Sequence, residues 1–126
     1  MWVRIDSKSP VPVFQQLACQ VRAAVARGAL RPDDMLPSIR QMATEALINP
    51  NTVAKAYRDL EREGILYTQR GLGVFVAESA PDACREERRE ALREQLRDVL
   101  TESRRSGLTL EELGTLFREV LEEETT

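Results

Sequence analysis

The sequence predicts a mostly α-helical fold with one small β-hairpin, and three observations lead to this prediction. Apolar residues recur at helical spacing in five segments of the 126-residue chain. Residues that favour helix starts, such as Ser, Asn, Thr and Pro, precede three of these segments, and Gly follows three. Two short β-prone runs around a glycine-containing turn lie between the third and fourth segments.

The opening residues, Trp2–Ser9, alternate apolar Val3 and Ile5 with charged Arg4 and Asp6. Alternation of this kind is typical of a half-buried strand. Two prolines follow closely and end the pattern. A short strand is therefore predicted at the start of the chain.

The first helix is predicted from Val13 to about Arg27, with Gly28 as its C-terminal cap and with core-facing Phe14, Leu17, Val21, Ala24 and Val25. The second begins after Ser38, an N-cap residue that has Gln41 three positions later, as in a capping box. It is predicted to end near residue 47 and to bury Ile39, Met42, Ala43, Ala46 and Leu47.

The third helix is predicted over Pro50–Glu63, because Asn49 is a good N-cap, Pro50 suits the first helical position and Gly64 follows. Its apolar stripe is Val53, Ala56, Tyr57 and Leu60. The residues left on the outer face are Asn51, Thr52, Lys55 and Arg58. Because only a few residues separate this helix from the second, the pair forms a helix-turn-helix.

The β-prone runs, residues 65–69 and 74–76, flank the turn Arg70-Gly71-Leu72-Gly73. They predict a hairpin that projects as a wing beside the helix-turn-helix. Gly71 and Gly73 would let its tip turn sharply and approach a partner closely.

Residues 78–82, which include Pro81, are predicted to be a linker between a domain of residues 1–77 and a two-helix region of residues 83–126. A helix over 83–105 ends near Gly107, and Thr109 with Glu112 forms a second capping box for the last helix. Neither helix can bury its apolar stripe alone, so the region is predicted to make the chain a homodimer. The dimerisation residues are predicted to be Leu92, Leu96, Val99, Leu110, Leu113, Phe117, Val120 and Leu121.

Charge is divided unevenly along the chain, although its net value is only −3. Residues 1–77 hold 10 basic and 7 acidic side chains, whereas residues 78–126 hold 8 basic and 14 acidic ones. Affinity for a polyanion depends on local phosphate contacts, so the basic half is where nucleic acid is expected to bind.

Several function classes find no support in the sequence. It has no histidine and only two cysteines, Cys19 and Cys84, so no metal site or cofactor is predicted. It lacks a nucleophile elbow and a P-loop, which argues against an enzyme. No long apolar run or signal-peptide pattern is present, and a cytoplasmic protein without a membrane partner is expected.

Residues 10–77 resemble the GntR family of bacterial regulators, most closely its YtrA-type branch, through PVPVFQQLACQVRAAVARGAL, LPSIRQMA, NPNTVAKAYRDLEREGIL and RGLGVFV. The resemblance implies a dimeric winged helix-turn-helix regulator, most often a repressor. It implies that helix 50–63 enters the major groove of double-stranded operator DNA and that wing 65–76 meets the minor groove. A transporter operon as target is suggested by the same branch.

Matched position by position, the DNA-contacting residues implied by the resemblance are Ser38, Arg40, Asn49, Asn51, Thr52, Lys55, Arg70 and Gly71. Their chemistry suits the role, since Asn pairs with adenine and Arg or Lys with phosphate or guanine. Asp33 stands where the family usually has Gly, and Asp tolerates left-handed backbone better than most residues.

Other interpretations stay open at this point. Asn49 and Ser38 can act purely as helix caps, and Lys55 and Arg70 can be ordinary surface charges. A winged helix that binds protein through its acidic tail is a second hypothesis, and redox sensing through Cys19 or Cys84 is a third.

Overall fold

A computed structural model describes residues 2–125, which form five helices and one two-stranded antiparallel sheet. In chain order the elements are α1 Val13–Ala26, α2 Ile39–Ala46, α3 Pro50–Arg62, β1 Leu66–Gln69, β2 Gly73–Val76, α4 Ala80–Arg105 and α5 Leu110–Thr125. The predicted fold class is confirmed. The chain divides into two compact units, one that ends at Arg88 and one that begins at Arg89.

The core of the first unit is built from the inward faces of α1, α2 and α3, the hairpin and the start of α4. Its largest fully buried side chains are Leu17, Met42, Leu60, Leu66, Val21, Val25, Val53, Val76 and Cys84. All four residues of the stripe predicted for α3 are buried, which fixes its opposite face as the outer one.

The segment before α1 is not a strand, so that prediction was wrong. Val3 is buried as the alternation requires, but side-chain amides of α1 take the place of a partner strand. The Arg4 N–H donates to Gln20 Oε1 (2.8 Å), and Gln20 Nε2 donates to the Arg4 carbonyl (2.6 Å). Gln16 pairs with the Asp6 backbone in the same way, at 2.8 and 3.0 Å. The backbone N–H and C=O groups of Arg4 and Asp6 therefore have hydrogen-bond partners without a sheet.

Helix α2 has the predicted capping box, with Ser38 Oγ accepting from the Gln41 N–H (3.1 Å) and Gln41 Oε1 accepting from the Ser38 N–H (3.0 Å). Two of its predicted core residues are exposed instead. Leu47 is a left-handed C-cap with φ of 57°, which turns its side chain outward to 90% exposure. Ile39 is 38% exposed because it lies at the helix end, one turn before buried Met42.

The predicted linker over residues 78–82 is partly helix, because α4 begins at Ala80 and not at residue 83. Pro81 is tolerated there since the first N–H groups of a helix have no intrahelical acceptor. Ala80 and Cys84, one turn apart, are buried in the core. Arg85 Nε also donates to the Ala26 carbonyl at the end of α1 (3.2 Å). The first turns of α4 therefore belong to the N-terminal unit.

The wing gains a third extended segment from the loop before α2. The Asp33 N–H donates to the Val76 carbonyl and the Leu36 N–H to the Val74 carbonyl, each at 2.8 Å. Asp33 has the left-handed geometry expected at its position, with φ of 67°, and its Oδ1 accepts from the Tyr67 hydroxyl (2.7 Å). This loop holds β2 against the domain.

In the second unit, the predicted Thr109–Glu112 capping box is confirmed, with the Glu112 N–H donating to Thr109 Oγ1 (3.1 Å). Seven of the eight predicted dimerisation residues are exposed in the single chain, and Leu113 is half-buried. The seven are Leu92, Leu96, Val99, Leu110, Phe117, Val120 and Leu121.

Candidate nucleic-acid interface

The start of α3 is fixed by its cap. Asn49 has extended backbone, and its Oδ1 accepts from the Asn51 N–H at 2.7 Å, with Pro50 at the first helical position. The capping role considered for Asn49 is therefore present. The cap uses the amide oxygen, so the NH2 group of the same side chain is the part that can donate to a partner.

Beyond the cap, α3 brings Asn51, Thr52 and Lys55 together on its outer face. Asn51 and Lys55 are exposed and Thr52 is half-buried, whereas the neighbouring Val53 and Ala56 are buried in the core. Positions three or four apart lie on one face of a helix. The first turns thus present an amide, a hydroxyl and an ammonium group side by side.

The Lys55 side chain contacts one residue of α3 and one residue of α1. Its Nζ lies 3.7 Å from Asp59 Oδ2 and 4.4 Å from the centre of the Phe14 ring. Arg62 contacts the same carboxylate, at 3.5 Å. Because both contacts of Lys55 are at a partly exposed site, they are weak enough for a phosphate to replace them.

The residue before the α2 cap is tied to α3 by a hydrogen bond. The Tyr57 hydroxyl donates to the Pro37 carbonyl at 2.8 Å, just before the Ser38 cap. Burial raises the pKa of Tyr57 far above its ordinary value, so the phenol stays a donor at neutral pH. Arg40 is exposed in the first turn of α2. Ser38 and Arg40 are therefore held in a fixed position relative to the start of α3.

The wing tip is exposed at Arg70, Gly71 and Leu72. The Leu72 N–H donates to the Gln69 carbonyl (2.9 Å), and Gly71 has φ of 82°, a conformation that favours glycine. Tyr67 and Phe75 stack on the hairpin with ring centres 5.5 Å apart. The tip is thus supported by packing behind it.

An ion-pair cluster that the sequence did not predict lies behind α3. Arg22 of α1 donates through Nη2 to Glu63 Oε1 (2.6 Å), and its Nε lies 3.6 Å from Glu87 Oε2 on α4. Pairs separated by 41 residues leave no pattern in a single sequence, so nothing there could have identified this cluster. A groove of about 640 Å³ opens beside it, between α1 and α3.

The two cysteines lie in different surroundings. Cys19 is exposed on α1, and Cys84 is buried in α4. Burial raises the pKa of the Cys84 thiol, which lowers its thiolate fraction. Among residues 2–125, His, Cys, Asp and Glu side chains form no group of three or more suited to a metal ion. No helix in that part of the chain is long and apolar enough to cross a membrane.

Comparison with known proteins identifies the domain. Residues 14–76 match the family described as bacterial regulatory proteins, gntR family. The chain is 37% identical to the HTH-type transcriptional repressor YtrA of Bacillus subtilis over 94% of its own length and 91% of that protein.

Solved structures agree with this assignment. A transcriptional regulator from Oenococcus oeni superposes with a TM-score of 0.80 at 32% identity, covering 93% of this chain and 97% of that one. The DNA-binding domain of AraR, solved in complex with an operator, superposes with a TM-score of 0.52 at 27% identity, covering 58% and 89%. The family expected from the sequence is thereby confirmed: the chain belongs to the GntR family and is a DNA-binding transcriptional regulator with a winged helix-turn-helix fold.

Proposed function

We propose that this chain is a homodimeric repressor that binds a two-part operator, with α3 of each protomer in the major groove and each wing at the adjacent minor groove. The observation that carries the proposal is the outer face of α3, where Asn51, Thr52 and Lys55 stand over a fully buried stripe. The core packs against the opposite face of α3 and does not require polar side chains on this one. A helix of this kind fits the width of the major groove.

The side chains divide by chemistry into two sets. Asn51 is suited to read adenine, whose edge offers one donor and one acceptor in the major groove, and the NH2 group of Asn49 is suited to donate to a phosphate or to a base acceptor. Lys55, Arg40 and Arg70 are suited to phosphate or guanine, and Ser38 and Thr52 to phosphate oxygens. The positive ends of α2 and α3 add backbone N–H groups near the same phosphates. Gly71 allows the wing backbone to approach closely.

Dimerisation through residues 83–126 supplies the second half of the site. Large apolar side chains that are half or more exposed, such as Leu96 at 62% and Phe117 at 61%, recur along both helices of this region. Exposed apolar surface of this extent favours association, and most oligomers of one chain are two-fold symmetric. Two copies would then present two α3 helices to one duplex.

Repression, and control of a transporter operon, follow from resemblance to the YtrA-type branch and not from a contact in the fold. A protein with this function works in the cytoplasm, where the chromosome lies. We propose no small-molecule effector, because the two-helix pattern of residues 83–126 predicts no ligand pocket.

The test is a mobility shift with DNA from upstream of the gene itself, at several salt concentrations. The double variant Asn51→Ala and Lys55→Ala removes one amide and one cation from α3, and Gln15→Ala with Lys8→Ala removes the same groups from exposed positions outside α3 and outside residues 83–126. We expect the first pair to lose at least about tenfold in affinity and the second pair to bind like the wild type. Wild-type binding that is no tighter than that of the α3 variant would exclude the repressor and favour a protein-binding winged helix.

A further inference from the structure

The wing tip carries an exposed apolar side chain, Leu72, in the turn between β1 and β2. Leu72 is 65% exposed and stands between Gly71, with φ of 82°, and Gly73, with φ of 145°. Because neither neighbour has a side chain, Leu72 stands alone on a narrow tip. The hydrogen bond from its N–H to the Gln69 carbonyl (2.9 Å) closes the turn and fixes its direction.

A second exposed apolar side chain lies next to this tip. Met35, in the loop before α2, is 62% exposed, and its sulfur covers Gly73 so closely that a Cβ added there would lie 3.1 Å away. Met35 also pairs with Phe75 in an isolated antiparallel bridge, which anchors the loop to the wing. Leu72 and Met35 therefore flank Gly73 on the same part of the hairpin, and we call this pair the apolar tip.

The charge around the apolar tip suits a polyanion. Residues 65–77 contain Arg70 and no acidic side chain, so the turn of the hairpin brings a cation toward phosphates. Asp33 and Asp34 bond to Val76 at the opposite end of the hairpin, where Asp33 also accepts from the Tyr67 hydroxyl. The minor groove is about 6 Å wide, which admits a tip of this kind but not a helix. Leu and Met are among the side chains that proteins insert between base steps to kink DNA.

We propose that Leu72, supported by Met35, is an apolar wedge that enters the minor groove of the operator and bends the duplex, an inference that rests on the proposed function. An apolar contact releases no counterions, so its loss lowers affinity equally at every salt concentration. Loss of a phosphate contact at Arg70 instead makes the salt dependence shallower. The two kinds of contact on one wing can thus be separated by measurement.

The experiment uses the full chain and one duplex, carrying the sequence that the wild-type protein selects from a random pool and labelled with a fluorescent donor and acceptor at its ends. Affinity is measured over a range of salt, and energy transfer between the labels reports the bend. The variants are Leu72→Ala, Leu72→Met as the conservative change, Met35→Ala, and Arg70→Ala as the charge control. Far-ultraviolet circular dichroism confirms that each is folded, as expected for exposed positions.

We expect Leu72→Ala to bind about fivefold more weakly at every salt concentration and to bend the duplex less, with Met35→Ala changing both in the same direction to a smaller extent. Leu72→Met should keep both properties, and Arg70→Ala should lower the salt slope by about one. Leu72→Ala with affinity and bend like the wild type would overturn the wedge while leaving DNA binding intact. A loss of affinity in Leu72→Ala that is accompanied by a change in the salt slope would also overturn the wedge. A wild-type protein that selects no sequence and binds no duplex would overturn the proposed function as well.

Discussion

The hydroxyl of Tyr57 donates a hydrogen bond to the Pro37 carbonyl across 2.8 Å, joining the middle of α3 to the residue before the α2 cap. The tyrosine ring is buried in the core, 4% exposed, and belongs to the same stripe as Val53 and Leu60. One side chain therefore packs the core and fixes the angle between the two helices of the helix-turn-helix.

Removing this hydroxyl tests the connection. Tyr57→Phe leaves the part-buried Pro37 carbonyl without its donor, and we expect a loss of about 1–2 kcal/mol in the free energy of unfolding. Tyr67→Phe removes a hydroxyl at an exposed hydrogen bond and should cost about half as much or less. Urea unfolding of the three proteins measures both changes, and equal stability of Tyr57→Phe and wild type would contradict the role given to this bond.

The same phenol predicts how stability changes at high pH. Burial raises the pKa of Tyr57 in the folded state above its unfolded value near 10. The native state then binds this proton more tightly than the unfolded state does. The protonated phenol therefore makes its full contribution to the free energy of unfolding below pH 10, and this contribution is lost as the pH rises above that value. Denaturation midpoints measured between pH 9 and about 11.5 should fall more steeply for the wild type than for Tyr57→Phe. If the midpoints of the two proteins fell equally with pH, folding would not raise the pKa of Tyr57.

The contacts of Arg22 link three helices of the N-terminal unit. Arg22→Ala removes its hydrogen bonds to Glu63 and its ion pair with Glu87, and leaves these two carboxylates close to each other. The pair is partly exposed, so we expect a cost of about 1 kcal/mol that shrinks as salt is added. Arg93→Ala breaks an exposed pair with Glu90 on α4 alone and should cost about 0.3 kcal/mol or less. Equal effects of the two changes in urea unfolding would deny Arg22 a linking role.

Leu47 occupies a left-handed C-cap position with its side chain 90% exposed, where glycine is usual. Leu47→Gly relieves the backbone strain and gives up almost no packing. Glycine also makes the unfolded chain more flexible, which opposes folding. The relief of strain is the larger effect, so the net change should stabilise the protein by about 0.5–1 kcal/mol. Ala46→Gly, one residue earlier and within the helix, should destabilise it by a similar amount. Thermal unfolding gives the sign for each variant, and a destabilised Leu47→Gly would refute the explanation.

The cysteines should differ in reactivity. Cys84 is buried and burial raises its pKa, so it has little thiolate and little access to reagent. Cys19 is exposed on α1. Under native conditions iodoacetamide should therefore modify Cys19 first, and Cys19→Ser should remove the rapid phase, as mass spectrometry can follow. Rapid modification of Cys84 in the folded protein would contradict this order of reactivity.

Local signals predicted most of the fold. The caps at Ser38, Asn49 and Thr109 and the stripe of α3 each depend on residues within one or two helical turns, and the structure confirms all of them. The outer face of α3, and with it the centre of the candidate interface, could therefore be identified from the sequence alone.

The structural features that the sequence did not predict depend on contacts between distant residues or on the conformation of a turn. Val3 has the periodicity of a strand residue, but the amides that bind this segment come from Gln16 and Gln20 of α1. Ala80 and Cys84 belong to the core because α4 packs there, although Pro81 between them is typical of a linker. Leu47 carries an apolar side chain that its backbone conformation directs outward. In each case a tertiary contact or a turn geometry overrides the local pattern.

Protection of a selected operator from hydroxyl radicals, with and without about five base pairs inserted at its centre, tests the central claim most directly, since that insertion turns the half-sites to opposite sides of the helix. A dimer that places two α3 helices in successive major grooves should give two protected regions about one helical turn apart, and the insertion should weaken binding severely. A single protected region, or binding that the insertion leaves unchanged, would contradict it.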